Sequence, residues 1–90
     1  MPVVKYSEIV GLPVLCIETG KRVGIVKDVI FIPVKKCVYG FQLERTGADL
    51  RNRLIRLDDV ASIGSDAMVI NSRSCIITAK DAENDEEYES

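Results

Sequence analysis

The chain has 90 residues, of which 47% are hydrophobic, and a formal net charge of −2. At this length we expect one domain with a shallow core, because such a chain buries only about 60–65% of the surface that its unfolded form exposes. It contains no histidine, so the commonest general base and the commonest transition-metal ligand are both missing. Composition therefore argues against an enzyme or a transition-metal protein.

The charges are distributed unevenly along the chain. All 12 Lys and Arg residues fall within residues 1–80, beside eight of the 14 acids, which gives this part a net charge of +4. The other six acids lie within residues 81–90, where there is no basic residue. Such a segment cannot bury enough apolar surface to offset the entropy lost on ordering. We therefore predict a folded domain over residues 1–80 and an acidic, disordered tail over residues 81–90.

Cysteine usage and hydropathy indicate a cytoplasmic protein without a membrane span. Cys16, Cys37 and Cys75 are far apart and lack paired spacing, so neither a disulfide framework nor a zinc site is predicted. No apolar run approaches the roughly 18 residues that a membrane-spanning helix requires. The first residues lack the charged-then-apolar pattern of a secretion signal. No cofactor is predicted.

The first third of the chain is predicted to form a helical turn followed by strands. The segment from Ser7 to Gly11 predicts the helical turn, with the glycine as its stop. The segment from Val14 to Ile17 predicts a first strand, and Gly20 lies in the tight turn after it. A long strand is then predicted from Arg22 to Ile32.

The long strand is apolar on both faces. Strict alternation places Val23, Ile25, Val29 and Phe31 on one face, and Val26, Ile30 and Ile32 on the other. Lys27 and Asp28 interrupt the two faces at the same height, and Gly24 suggests a bulge or bend. We interpret Asp28 as an acceptor for backbone N–H groups rather than as a catalytic or metal-binding carboxylate.

The rest of the chain contains shorter strands. The segment from Val38 to Arg45 predicts a half-buried strand with Tyr39, Phe41 and Leu43 on one face. Further strands are predicted over residues 53–57, 67–71 and 74–79, and one helical turn over residues 58–64. Five to six short strands, with turns about every 8–12 residues, indicate a small all-β barrel rather than a sandwich.

Three groups of glycine, apolar and acidic residues follow one another in a specific order. They are Ser7-x-x-x-Gly11-Leu-Pro13-Val14, Gly20-x-x-x-Gly24-x-Val26-x-Asp28-Val29, and Ile55-x-Leu57-x-Asp59-Val60 leading into Ile63-Gly64-x-Asp66-Ala67-x-Val69-Ile70. Together they resemble the PRC-barrel family, which is named for the cytoplasmic part of the photosynthetic reaction-centre H subunit and includes the C-terminal domain of a bacterial ribosome-maturation factor. The resemblance is strongest to the stand-alone bacterial and archaeal members. It implies a small antiparallel six-stranded β-barrel with one or two short helical turns, a homodimer or docking surface, and no catalytic residues.

The leading functional hypothesis is a non-enzymatic structural or protein-interaction module that acts as a homodimer. The interior of a small barrel uses only one face of the long strand, so the other face must be covered by something. The candidate interface is therefore either Val29 with Phe31 or Ile30 with Ile32. No catalytic, cofactor-binding or metal-binding residues are predicted.

The alternative is an RNA- or ribosome-associated assembly adaptor. Arg45, Arg51, Arg53 and Arg56 cluster around one loop and the strand after it, and arginine suits phosphate and carboxylate groups. No aromatic residue interleaves with these arginines, so the usual stacking platform for single-stranded RNA is missing. Nucleic-acid binding is accordingly the less favoured hypothesis.

Overall fold

In a computed structural model, described here for residues 6–44 and 52–83, the chain is mostly β. The described residues form seven strands and two short α-helices, with 3₁₀ turns at Leu57–Asp59 and Arg73–Cys75. The strands are β1 (Pro13–Cys16), β2 (Lys21–Ile32), β3 (Cys37–Leu43), β4 (Arg53–Arg56), β5 (Val60–Ile63), β6 (Met68–Ile70) and β7 (Ile76–Thr78). The helices are α1 (Tyr6–Ile9) and α2 (Ala79–Glu83).

One curled sheet forms a half-barrel, with the strand order β5-β6-β1-β2-β3-β4-β7. The long strand β2 joins its two parts, because the first half of β2 pairs with β1 and the second half pairs with β3. The pairing between β1 and β6 is parallel, and the other pairings in the described sheet are antiparallel.

The predicted all-β fold is confirmed, with differences in detail. The sheet has seven strands within the described ranges where six were predicted, and β5 occupies part of the segment where a helical turn over residues 58–64 was predicted. The acids at positions 58 and 59 do lie in a helical turn, but this turn spans only Leu57–Asp59. The β-branched residues Val60 and Ile63 instead pair with β6, so tertiary pairing outweighs the local helical preference.

The two faces of the sheet carry separate hydrophobic clusters. The first cluster is the larger, and its buried members are Ile9, Leu12, Val14, Cys16, Val26, Phe41, Leu43, Ile55, Met68 and Ile70. The second cluster consists of Ile32, Tyr39, Leu54 and Ala82, with Ile30, Ile77 and Ala79 packed against it. We call the face that carries the first cluster the inner face and the other the outer face. Helix α2 covers part of the outer face through Ala79 and Ala82.

Two β-bulges decide which side chains enter which cluster. In β2, Val26 pairs with Leu43 and Asp28 pairs with Gln42, so Lys27 is the extra residue. Val26 and Val29 consequently both contact the first cluster, although strict alternation assigns them to opposite faces. The predicted interruption at Lys27 and Asp28 is therefore the site of a bulge.

The second bulge lies in β3. Ile30 pairs with Gly40 and Phe31 pairs with Val38, so Tyr39 is the extra residue. Tyr39 therefore belongs to the second cluster, while Phe41 and Leu43 belong to the first. The prediction that these three share one face was wrong, because it assumed uninterrupted alternation.

The neighbouring strand requires glycine at position 40. A Cβ placed on Gly40 would overlap the carbonyl oxygen of Ile55 and lie 2.9 Å from the Cα of Arg56. The backbones of β3 and β4 thus approach each other where the bulge bends β3.

The C-terminal part of the described chain packs on the sheet beyond the predicted domain boundary. Helix α2 continues past Lys80 to Glu83, and Ala82 is fully buried in the second cluster. The amide of Thr78 donates to an Asp81 carboxylate oxygen at 3.2 Å, and the Asp81 amide donates to the Thr78 hydroxyl oxygen at 3.2 Å. Residues 84–90 of the predicted tail lie outside the described residues. None of the described helices is long and apolar enough to cross a membrane.

Candidate functional site

The four predicted interface residues occupy different environments. Val29 is half-buried against the first cluster, Ile30 is half-buried against the second, and Ile32 is buried within the second. Phe31 is 53% exposed. The chain therefore uses three of the four side chains in its own packing, and Phe31 is the one with a large exposed surface.

Phe31 lies at one end of the inner face, and three other apolar residues lie at the same end of the sheet. It pairs across the sheet with Val38, which packs at the edge of the first cluster. On the other side of β3 lies β4, whose last residue, Arg56, pairs with Gly40. Leu57 is the next residue of the chain and is 37% exposed. At the tip of the β2–β3 hairpin, Val34 is 77% exposed. We call Phe31, Val34, Val38 and Leu57 together the rim surface.

Charges of opposite sign flank the rim surface. Lys35 and Lys36 are exposed in the turn at the hairpin tip, where Lys36 has a φ of 53° and its amide donates to the Pro33 carbonyl at 3.3 Å. Asp58 is exposed in the 3₁₀ turn that begins with Leu57. Asp59, next to it, accepts a hydrogen bond from the Arg56 guanidinium at 3.0 Å. The basic groups thus lie in the turn between β2 and β3, and the acidic groups lie in the 3₁₀ turn that follows β4.

The described members of the predicted arginine patch bind different partners. Arg53 donates to the carbonyl oxygens of Val23 and Glu44, each at 3.2 Å, and so connects β4 with β2 and the end of β3. Arg56, at the other end of β4, pairs with Asp59. Arg45 and Arg51 lie outside the described residues.

The remaining candidate groups for chemistry do not assemble into a reactive cluster within the described ranges. One carboxylate oxygen of Asp28 accepts a hydrogen bond from the Val29 amide at 2.8 Å. The three cysteines are free: Cys16 is buried, Cys75 is half-buried and Cys37 is exposed. Among residues 6–44 and 52–83, no three His, Cys, Asp or Glu side chains are grouped so that they could hold a metal ion.

Sequence reasoning did not identify Val34 and Leu57 as surface candidates. Leu57 falls within the strand predicted over residues 53–57, and alternation from the buried Ile55 places it on the inner face. The strand in fact ends at Arg56, and Leu57 begins a 3₁₀ turn that local alternation does not indicate. A further pair of exposed aliphatic residues, Leu15 and Ile17, lies on β1 and just beyond it.

The fold and this site define a small all-β module with an exposed apolar surface. A family model for the PRC-barrel domain matches residues 1–74. The chain therefore belongs to the PRC-barrel family, as its sequence motifs indicated. PRC-barrel domains are a non-catalytic module family and generally mediate protein interactions. No curated protein matches the chain.

Proposed function

We propose that this PRC-barrel acts as a homodimeric protein-interaction module and that two copies associate through the rim surface. The observation that carries the proposal is the 53% exposure of Phe31. Its sequence neighbours Ile30 and Ile32 pack beneath α2, whereas no described segment packs over Phe31 in the same way. A large aromatic side chain left accessible at the same end of the sheet as Leu57 and Val34 supports an interface at this place.

The energetics favour Phe31 as the anchor of such an interface. Complete burial of a fully exposed side chain of this size contributes about 1.5–3 kcal/mol, so covering the 53% of Phe31 that is exposed would contribute roughly half of that. Aromatic residues near the centre of a contact commonly dominate binding, while the surrounding groups mainly exclude water. A stable interface buries roughly 800 Å² on each partner. The polar residues of the hairpin turn and of the 3₁₀ turn must therefore contribute the periphery around the rim surface.

The RNA-adaptor alternative has less support from the described residues. The Arg53 guanidinium is engaged by two backbone carbonyls, and Arg56 is paired with Asp59. Both guanidinium groups are therefore already bound to other groups of the protein in this arrangement.

A cytoplasmic location forms part of the proposal as well. It is supported by the three cysteines, which lack paired spacing.

The proposal is tested by replacing Phe31→Asp and measuring the molar mass by light scattering over a range of concentrations. We expect the unaltered protein to be a dimer and the variant a monomer, because association would bury an unpaired carboxylate in an apolar contact. Ile17→Asp is the matched control. Ile17 is 61% exposed but follows β1, whose end pairs with Lys21 at the opposite end of β2 from Phe31.

We expect the Ile17→Asp protein to remain dimeric, and circular dichroism should show that both variants are folded. A protein that is monomeric before mutation at high micromolar concentration would disprove the homodimer. Equal dissociation by both aspartates would show that the rim surface is not the interface.

A further inference from the structure

A second aliphatic surface lies on the outer face of the sheet, in the half formed by β6, β1 and the start of β2. In β1 and β6, and on either side of Ile25 in β2, every second residue is buried on the inner face, so alternation places the residues between them on the outer face. Pro13 pairs with Ile25, and Leu15 pairs with Val69 on the other side of β1. The ladder continues to Ile17, whose amide donates to a carbonyl of β6 at 2.9 Å. We call these side chains together the outer stripe: Pro13, Leu15, Ile17, Ile25 and Val69.

The chain leaves the outer stripe accessible. Leu15 is 40% exposed and Ile17 is 61% exposed, and the other three members are half-buried. None of the five belongs to either hydrophobic cluster of the described residues. On the other half of the outer face, α2 packs on Ile32 and Leu54 through Ala82. A helix thus covers one half of the outer face, and no described helix is packed on the half that carries the outer stripe.

The border of the outer stripe along β2 is basic. The segment from Lys21 to Lys27 contains three basic residues and no acid, and Lys21, Arg22 and Lys27 are all exposed. None of the three side chains forms an ion pair with another described residue. Arg22 pairs with Leu15, so its side chain starts about one strand spacing, or roughly 5 Å, from the outer stripe. On the opposite border, the residue that pairs with Val69 is the uncharged Ser62.

We infer that the outer stripe binds an amphipathic helix of another protein, whose apolar side lies on the stripe and whose acidic side lies along Arg22 and Lys27. Helices commonly cover the apolar faces of sheets, and α2 does so on the other half of this face. From Pro13 to Ile17 the stripe extends over roughly 13 Å, a length that about nine residues of α-helix span. The site lies on the opposite face from Phe31 and does not depend on the proposed homodimer.

Other partners fit the outer stripe less well. An extended strand binds to a free sheet edge, but β1 is paired on both sides, with β2 and with β6. An anionic membrane would be attracted by the basic border, but the exposed Glu18 directly follows Ile17, and the stripe has no Trp or Tyr of the kind that anchors proteins at a membrane interface. A basic helix would be repelled along β2. An acidic amphipathic helix meets none of these obstacles.

The inference is tested with a synthetic peptide of about 16 residues, in which a side-chain staple stabilises the helix because unstapled peptides of this length are marginal. The peptide carries leucines at positions i, i+3, i+4 and i+7 and glutamates along one side of them. A second peptide has lysines in place of the glutamates. Fluorescence anisotropy of each labelled peptide measures its binding to the full chain, and changes in amide NMR resonances show which strands it contacts.

We expect the glutamate peptide to bind in the micromolar range and to shift resonances of β1 and β6. Ile17→Asp should raise the Kd at least tenfold, because binding would bury an unpaired carboxylate. Arg22→Glu should raise it about fivefold, as expected for an exposed charge pair, and should bind the lysine peptide better than the glutamate peptide. Phe31→Asp is the matched control, since it changes an exposed apolar residue on the inner face, and it should leave the Kd unchanged. Circular dichroism checks that each variant is folded.

The possible results separate this inference from the proposed function. Peptide binding that Ile17→Asp removes and Phe31→Asp leaves intact supports the inference, whether the protein is a dimer or a monomer. The absence of saturable binding at about 1 mM glutamate peptide, or equal binding of both peptides to the unaltered protein, would overturn it. Binding of the protein to vesicles of anionic phospholipid that is lost in Ile17→Asp, without binding of either peptide, would overturn it in favour of a membrane surface.

Discussion

The two faces of the sheet are covered by different means at the end of β2. On the outer face, Ile32 is 5% exposed because α2 returns over it and buries Ala82 beside it. On the inner face, Phe31 is 53% exposed, although the rest of that face carries the larger cluster. Phe31 and Ile32 thus differ in exposure. Helix α2 covers the outer face at this point, and no described element covers the inner face there. The comparison indicates which apolar surface serves folding and which is available for a partner.

The two clusters should differ most clearly when neighbouring residues of β4 are truncated. Ile55 is fully buried in the first cluster and Leu54 is 4% exposed in the second. We expect Ile55→Ala to lower the free energy of unfolding by about 3–5 kcal/mol, and Leu54→Ala by about 2–3 kcal/mol, because a cavity beneath a short helix can partly collapse. Urea unfolding followed by circular dichroism measures both values. A larger loss for Leu54→Ala would mean that the second cluster is the main core.

Helix α2 can be removed to expose the outer face. A chain that ends after Thr78 loses Ala82 and uncovers Ile32 and Leu54, and we expect its unfolding free energy to fall by about 2–4 kcal/mol. Thermal unfolding measures the loss. The control ends after Glu83, which retains α2 and removes only residues 84–90.

We expect the control to melt within a couple of degrees of the full chain, because a polar terminal segment buries little surface. The shorter chain should also self-associate non-specifically as its outer face becomes accessible. A large loss of stability in the control would show that residues 84–90 dock on the domain.

Local patterns predicted the strands and the fold class, because the apolar runs and turn glycines are local features. The positive φ of 97° at Gly11 and of 68° at Gly20 agrees with the turn positions that the sequence indicated. The faces of β2 and β3 were assigned less accurately. A bulge such as that at Lys27 depends on how many residues the partner strand places opposite, and that number is not encoded in either strand alone.

Identifying the candidate site from the sequence would have required the same kind of non-local information. Phe31 could be selected from β2 together with Val29, Ile30 and Ile32, but their burial depends on distant parts of the chain. The acidic composition after Lys80 suggested disorder, whereas small residues at positions 79 and 82 allow α2 to pack closely on the outer face. Arg53 was grouped with its neighbours by sequence, while its carbonyl partners are Glu44 and the distant Val23.

The smallest expected effect on stability concerns Arg53. Its side chain connects β4 with β2 and the end of β3, at the end of the inner face opposite the rim surface. Its two hydrogen bonds join three strands or their ends, and its removal leaves the carbonyl oxygens of Val23 and Glu44 without that donor. We expect Arg53→Ala to lower the free energy of unfolding by about 1–2 kcal/mol. Arg56→Ala is the comparison, since an exposed pair such as Arg56 with Asp59 contributes less than about 1 kcal/mol.

The same two variants separate a structural from a nucleic-acid-binding role for the arginines. If Arg53 contacted phosphate, its removal would lower the salt dependence of RNA binding by about 0.7–0.9 in logarithmic slope. We expect the slope to stay unchanged in filter-binding titrations while the melting temperature falls, because the guanidinium already binds backbone carbonyls. The opposite result, an unchanged melting temperature with a reduced slope, would favour the RNA adaptor. Dimerisation should be unaffected by Arg53→Ala, because the rim surface lies at the other end of the inner face.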